Sequence, residues 1–397
     1  MPWTERTLMD DRLCFIAARL RDEEPMRAVC ARFGISRKTG YKWLDRYEAD
    51  GAAGLTDHNR ARHTQTLSID AGTAAEILAL REKRATWGPR KLLGRLALDQ
   101  PGRTWPAAST VGDLLRREGK SRPRTRVSRE PGAVCPQIEP SAPNESWSAE
   151  FKGWFRTGDG VRCEPLTVTD GHSRYILTCQ AVPKITAAEV QPILTRLFQT
   201  HGMPRALRTD NGSPFAHRLG LGGLSVLSVW FLKLNIWPDR IAPGRPDQNG
   251  RHERMHRTLK QDVAAPPAAT LAEQQARLDA WREDFNTNRP HEALDQRCPA
   301  MLYEPSPRAF PATIRDWDYP PDHHARRVDV KGYIKWRDGG IYLSEALRGE
   351  TVALARRDDG DWTVRFRGFD LATLDDATVD IRRSGLTRTA RTGATPG

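Results

Sequence analysis

Residues 252–256 read His252-Glu253-Arg254-Met255-His256 (HERMH), inside the longer run NGRHERMHRTLK of residues 249–260. The pattern H-E-x-x-H sets two histidines one helical turn apart with a glutamate between them, as zinc peptidases hold metal and general base. The flanks argue against that use. Arg251, Arg254 and Arg257 crowd the motif, whereas the helix of a zinc peptidase lies buried beneath its cleft. A protein zinc site also needs a third ligand, and no H-x-x-G-x-x-H continuation follows. What remains is Glu253 near a helix start, with Arg257 and Lys260 four and seven positions on and on the same face. A carboxylate for a metal beside cations for phosphate suits phosphoryl transfer on nucleic acid better than peptide hydrolysis.

Working back from this helix, the chain changes character at Trp147. CEPLTVTD (163–170) and SRYILTCQAV (173–182) are short runs rich in Val, Ile, Leu and Thr, and read as strands. TAAEVQPILTRLFQTHG (186–202) reads as a helix, with Thr186 and Glu189 as a capping box and Val190, Ile193, Leu194, Leu197 and Phe198 as its apolar stripe. RALRTD is a strand stopping at Asp210-Asn211-Gly212, where a carboxylate can meet Glu253 across a mixed sheet. GGLSVLSVWFLKLNI (222–236) reads as a helix leading to a strand, followed by the loop APGRPDQNG.

With 62 Lys and Arg against 50 Asp and Glu, the net charge is +12 over 397 residues. The isoelectric point is about 9.7. Nucleic acid is the leading partner class for such a balance. Mean hydropathy is −0.63, and no apolar run approaches the roughly 18 residues of a membrane span. The opening MPWTERTLMDDR has no apolar core of a signal peptide, so a cytoplasmic protein without a membrane partner is expected. The cysteines lie far apart without a C-x-x-C pair, and read as small apolar residues rather than as zinc ligands or disulfides.

The basic residues cluster at the N-terminal side. EEPMRAVCARFGISRKTGYKWLDRYEADG predicts a helix with Val29 and Phe33 inward, a Gly34-Ile35-Ser36 turn, and a helix capped by Ser36. This is a helix-turn-helix pattern, and the second helix presents Arg37, Lys38, Tyr41 and Lys42 for the major groove. Residues 1–60 are assigned to this domain. Residues 61–120 form a second helix-turn-helix-like DNA-binding segment, with Leu78, Leu92, Leu93, Leu96, Val111, Leu114 and Leu115 as core and Arg90 and Lys91 opening a helix after Trp87-Gly88-Pro89. Residues 121–143 read as a basic, Pro-rich linker lying along phosphates.

Three stretches together resemble a known family. They are Trp147-x-x-Glu150-Phe151-Lys152-Gly153; Thr209-Asp210-Asn211-Gly212; and Pro243-Gly244-x-Pro246-x-Gln248-Asn249-Gly250-Arg251-x-Glu253-Arg254-x-His256-x-Thr258-Leu259-Lys260. They are similar to the catalytic core of bacterial insertion-sequence transposases of the DDE superfamily, which belong with retroviral-type integrases. Phe285-Asn286-x-x-Arg289-Pro290-His291-x-Ala293-Leu294, with Pro299-Ala300 and Tyr303, is similar to the segment that closes that core. The resemblance covers about residues 144–308 and extends to the helical segments upstream. It implies an α/β RNase H-like core, a mixed five-stranded sheet flanked by helices, with three carboxylates holding two Mg2+ ions, for which Mn2+ can substitute. Two metals about 4 Å apart stabilise both the attacking and the leaving oxygen of an in-line phosphoryl displacement, and Mg2+ prefers oxygen ligands. By position, Glu150, Asp210 and Glu253 are the implied catalytic metal ligands. Lys152, Arg257 and Lys260 are the implied contacts to DNA, and His256 either orients DNA or packs.

One position departs from the pattern. Where W-x-x-D-F-K-G has aspartate, this chain has Glu150, one methylene longer. Mg2+ demands near-octahedral geometry at about 2.0 to 2.1 Å, and a misplacement of about 1 Å can cost on the order of a hundredfold in rate. Three readings stay open: a variant whose backbone compensates, a chain that binds DNA without cutting it, or Asp170 as the first acid. Trp147 and Phe151-Lys152-Gly153 favour Glu150.

After a connector at 309–325, residues 326–381 alternate in short apolar runs: Val328, Val330, Tyr333 and Ile334; Val352 and Leu354; Trp362, Val364 and Phe366, with turns at Gly339-Gly340 and Asp359-Gly360. A small all-β SH3-like barrel is expected, serving DNA binding or assembly, and residues 382–397 read as a disordered basic tail. The whole describes a transposase that binds the terminal repeats of an insertion sequence and cuts and joins DNA, working on transposon ends and target as a dimer or tetramer. The alternatives are a catalytically silenced, transposase-derived DNA-binding protein and a structure-specific nuclease of the same fold.

Overall fold

The computed structural model describes residues 7–57, 69–121, 140–217, 221–241, 250–382 and 386–388. The chain divides into two compact units at Ser68. The expected loop at 242–249, most of the 121–143 linker and the last residues of the tail lie outside the described residues.

The described residues of the first unit form three α-helices, α1 (Leu8–Leu20), α2 (Met26–Arg32) and α3 (Arg37–Asp50), and a 3-10 turn at Gly51–Leu55. Thr7 and Asp10 close a reciprocal capping box on α1. Gly34 takes φ +65° between α2 and α3, a conformation open to glycine at little cost, and Ser36 accepts the Thr39 N–H to start α3. Phe15, Ile16, Val29, Cys30, Trp43 and Leu55 are buried together, with Phe33 half-buried at their edge. Gly40 lets α3 sit close: a Cβ there would come 2.5 Å from Cys30 Sγ.

The second unit opens with α4 (Ala71–Lys83), α5 (Pro89–Asp99) and α6 (Ala108–Arg117). Asp70 caps α4 and Pro89 begins α5, where its missing N–H has no cost. Ile77, Trp87, Leu92, Leu96, Val111, Leu114 and Leu115 are buried, with Leu78 and Leu93 at the margin.

The central domain is a six-stranded mixed sheet of β1 (Ser146–Phe151), β2 (Phe155–Arg156), β3 (Arg162–Asp170), β4 (Ile176–Val182), β5 (Ala206–Thr209) and β6 (Trp237–Arg240). β3 runs antiparallel to β1 and β4, while β1, β5 and β6 are parallel. The sixth strand beyond the five expected is the two-residue β2, which prolongs the β1 pairing along β3. Alternation along the strands sends Trp147, Ala149, Leu166, Val168 and Leu207 to one face, packed with α7 (Ala187–His201) and α8 (Val226–Lys233). Cys163, Ile176, Cys179 and Ala181 face the other way, toward α9 (Gly250–Asp262) and α10 (Leu271–Thr287). The outer edge of β4 is sealed by side-chain amides of α10. Asn286 accepts from the Ile176 N–H at 2.8 Å and donates to its carbonyl at 2.9 Å, and Gln275 does the same for the Ala181 N–H and the Cys179 carbonyl. These bonds remove an open strand edge.

The C-terminal part corrects one expectation. β7 (His324–Arg327), β10 (Thr351–Arg356), β11 (Trp362–Phe366) and β12 (Phe369–Leu374) form an antiparallel sheet, with β13 (Ile381–Arg382) and β14 (Thr387–Arg388) both on β12. β8 (Tyr333–Trp336) and β9 (Gly339–Tyr342) form a separate ribbon. Among the described residues β7 does not pair with β13 or β14, so the sheet stays open and no closed barrel forms. Its apolar side is covered instead by the central domain: Leu221, Leu224, Val229 and Leu232 join Val352, Leu354, Val364 and Phe366 in one core. Lys233 pairs with Glu350 at 2.6 Å across the same junction. Two smaller expectations also change. Gly339 and Gly340 lie within β9 rather than in its turn, and the tail expected to be disordered contributes β14, with Arg388 opposite Phe369.

Candidate active site

The site follows from strand period and ladder register. In β1 the buried Trp147 and Ala149 point to the α7 face, so Ser148 and Glu150 point to the α9 face. Thr167 lies opposite Glu150 in the β1–β3 ladder and therefore shares its face. The parallel ladder pairs Ser146 with Ala206 and Ser148 with Arg208, and Asp210 follows the end of β5. Asp210 is half-buried and accepts the Gly212 N–H at 3.1 Å. Glu253 is exposed on the first turn of α9.

The Glu150 carboxyl senses the other two carboxylates. Burial, then the charge of Asp210, then that of Glu253 push the Glu150 carboxyl up to about 7, and Lys152 opposes them. Acids that repel in a partly buried place are relieved by a cation, the electrostatic condition for a divalent metal. An all-oxygen donor set suits a hard ion, so the residues fit the divalent metal that an integrase-type fold implies.

Asp170 does not join them. It is buried at the end of β3 opposite Trp147, where it accepts from the Asn144 N–H, the Ser173 N–H and the Ser173 hydroxyl at 2.7 to 2.8 Å. These bonds hold the β3–β4 turn. His256 is buried, as is His252; burial brings their pKa values down to about 2 and about 3, with His252 and Lys152 adding to the effect on His256. Sequence reading missed Thr167, whose hydroxyl meets both rings. The available signal was that two histidines on the buried face of a helix need polar partners.

The residues expected at DNA fall into two groups. Arg37, Lys38, Tyr41 and Lys42 are all exposed on α3, and Arg257 and Lys260 are exposed on α9. Lys152 is half-buried next to Glu150. Arg90 and Lys91 are engaged with protein. Arg90 pairs with Glu292, and burial followed by Arg289 lowers Lys91 to about 8. α5 as a whole sits on the segment after α10: a Cβ on Gly94 would meet Gln296 and Pro290, and Arg84 just before it grips Asp284 at 2.6 Å.

Models described as integrase core domain match residues 140–246 and 234–299. A helix-turn-helix domain model matches 11–63, and a homeodomain-like domain model matches 39–115. An insertion element IS407 protein of Burkholderia multivorans is 29% identical over 235 residues, covering 57% of this chain and 79% of that one. The chain thus carries an integrase core domain and is similar to insertion-element proteins. A second relative, an insertion element IS476 protein of Xanthomonas euvesicatoria, is 29% identical over 186 residues, 47% of this chain and about half (51%) of its own length. Among solved structures, the chain is similar to the HTLV-2 integrase catalytic core domain in complex with magnesium, at 15% identity and TM-score 0.32, covering 41% of this chain and 97% of that one. It is also similar to a chain of a simian T-cell lymphotropic virus intasome, at 16% identity and TM-score 0.36, covering 80% and 100%. No helix among the described residues is long and apolar enough to cross a membrane.

Proposed function

We propose that this chain binds the terminal repeats of an insertion sequence and catalyses DNA strand cleavage and strand transfer. The observation that carries the reading is that Asp210, just past β5, and Glu253 on α9 lie near enough to Glu150 on β1 for their charges to raise its carboxyl. Glu150, Asp210 and Glu253 would hold divalent ions, Mg2+ or Mn2+, which when bound stabilise the attacking and leaving oxygens of an in-line displacement. Lys152, Arg257 and Lys260 hold the scissile phosphate group's neighbours by charge and align the attacking water or 3′-OH with the phosphorus. The exposed face of α3 lies in the major groove of the end sequence, with Arg37, Lys38, Tyr41 and Lys42 on its contact side. Arg90 and Lys91 contribute, in this reading, through the docking of α5 on the central domain, beside DNA held there. Two ends require two sites, so the working form is a dimer or tetramer in the bacterial nucleoid, with the C-terminal sheet serving DNA or assembly.

The rival reading, a silenced DNA-binding descendant, draws on Glu150. Its side chain nevertheless shares the face and the electrostatics of Asp210 and Glu253, which favours a retained ligand. The test is strand transfer of cognate end DNA with Mg2+ or Mn2+ by the full chain and by Asp210→Ala. Activity that Asp210→Ala abolishes supports the proposal. An Asp210→Ala form as active as the parent overturns it.

A further inference from the structure

The stretch HERMH is left with two histidines that the proposed chemistry does not use, and both are buried. Their partner is a single hydroxyl. Thr167 Oγ1 lies 2.6 Å from His252 Nε2, 2.7 Å from His256 Nε2 and 3.0 Å from the carbonyl oxygen of Glu150. A hydroxyl has one proton to give and two lone pairs to fill. The Glu150 carbonyl can only accept, so the Thr167 proton goes there, and both imidazoles must donate from Nε2. That tautomer leaves His252 Nδ1 as an acceptor, and Thr169 Oγ1 stands 3.2 Å from it. Donors and acceptors at Thr167 are thereby matched one for one.

We infer that Thr167, His252 and His256 are positioning residues that set the distance between the carboxylates of Glu150 and Glu253. The hydroxyl binds the backbone of Glu150 itself on β1, while the two rings, one turn apart on α9, bracket Glu253 in sequence. A shift of α9 along or away from the sheet would break both ring bonds at once, leaving buried N–H groups unpaired. Residues behind the ligands that fix ligand geometry in this way usually matter for metal affinity. The inference rests on the carboxylate reading proposed above. The same groups suggest a competing use, because Glu150, His252 and His256 each offer a ligand atom within 4.8 Å of the others. Both Nε2 atoms, however, are turned onto the Thr167 hydroxyl, which occupies the place between them.

The test measures Mn2+ binding to the full chain by titration calorimetry, and strand-transfer rate at saturating end DNA, for Thr167→Val, Thr167→Ser, His256→Leu and His256→Gln, with Asp210→Asn alongside. Thr167→Val keeps the shape and removes the hydroxyl; Ser restores it, and Gln at 256 restores a donor. Expected is a rise of about tenfold or more in the half-saturating Mn2+ concentration and a matching fall in rate for the Val and Leu forms, with the Ser and Gln forms near the parent and end-DNA affinity unchanged. Should Thr167→Val fail to fold, His256→Leu against His256→Gln decides alone. Mn2+ binding weakened by Asp210→Asn but not by Thr167→Val or His256→Leu overturns the inference and leaves the carboxylate reading standing. Mn2+ binding untouched by Asp210→Asn overturns both. Zn2+ binding that disappears in both His256 variants makes the histidines metal ligands and likewise overturns it.

Discussion

Asp210, just past the end of β5, acts on Glu150 of the neighbouring strand β1: burial, then the charge of Asp210, holds the Glu150 carboxyl near 7 instead of 4.5. The folded chain therefore keeps a proton that the unfolded chain releases. Stability falls as pH rises from about 4.5 to about 7, and the loss is complete above that window. In chelator, Glu150→Gln should melt above the parent at pH ~8 and close to it at pH ~5, and added Mg2+ should raise the parent more than the variant. Parallel melting curves across this range would show that the carboxyl titrates normally.

Shortening the first ligand tests whether the backbone has adjusted to glutamate. Glu150→Asp withdraws the carboxylate by about one C–C bond from Asp210 and Glu253, so strand transfer should drop on the order of a hundredfold. Single-turnover rates on pre-cut end DNA measure this directly. A gain in rate would instead identify the parent as the silenced form.

The exposed side of α3 should act through phosphates as well as bases. Removing one phosphate contact, with Lys38→Ala or Lys42→Ala, should lower the slope of log affinity against log salt by about 0.9 while leaving melting unchanged. Arg90→Ala, which loses its Glu292 partner, should alter the slope less. Fluorescence anisotropy over a salt series distinguishes the two cases.

On the opposite side of α3, Gly40 is a packing requirement. A methyl group there would lie 2.5 Å from Cys30 Sγ and 3.1 Å from Phe15. Gly40→Ala should therefore destabilise the first unit by about 1 to 3 kcal/mol, in spite of alanine's better helix propensity. Urea unfolding followed by the fluorescence of the buried Trp43 gives the value. A stabilised variant would mean that α3 can move away without loss.

The open C-terminal sheet shares its core with α8. Ending the chain at Pro307 uncovers Leu221, Leu224, Val229 and Leu232, an apolar patch that invites association. The truncated protein should bind an apolar dye and elute as aggregates in size-exclusion chromatography. The milder change Glu350→Gln, which removes the partner of Lys233, should cost no more than about 1 kcal/mol because both groups are partly exposed.

Local pattern was enough to read several elements of the central domain. Period-two runs at 163–170 and 173–182 became β3 and β4, the Thr186 start and Gly202 end bounded α7, and Asp210 lies just past the end of β5. Short-range physics decides these features, since capping, turn chemistry and side-chain alternation depend on residues only a few positions apart. The same holds for Ser36 and Gly34 between α2 and α3. Tertiary structure alone decided the partners. Thr167 meets His252 and His256 across more than eighty residues of chain because the β1–β3 register and the packing of α9 bring them together, and HERMH by itself fits a zinc ligand pair equally well. The docking of α5, which turned Arg90 toward Glu292, and the covering of an open sheet by α8, where a closed barrel was expected, have the same origin. An amphipathic pattern states that a face must be buried, while what buries it is a choice among distant surfaces that only the assembled fold makes.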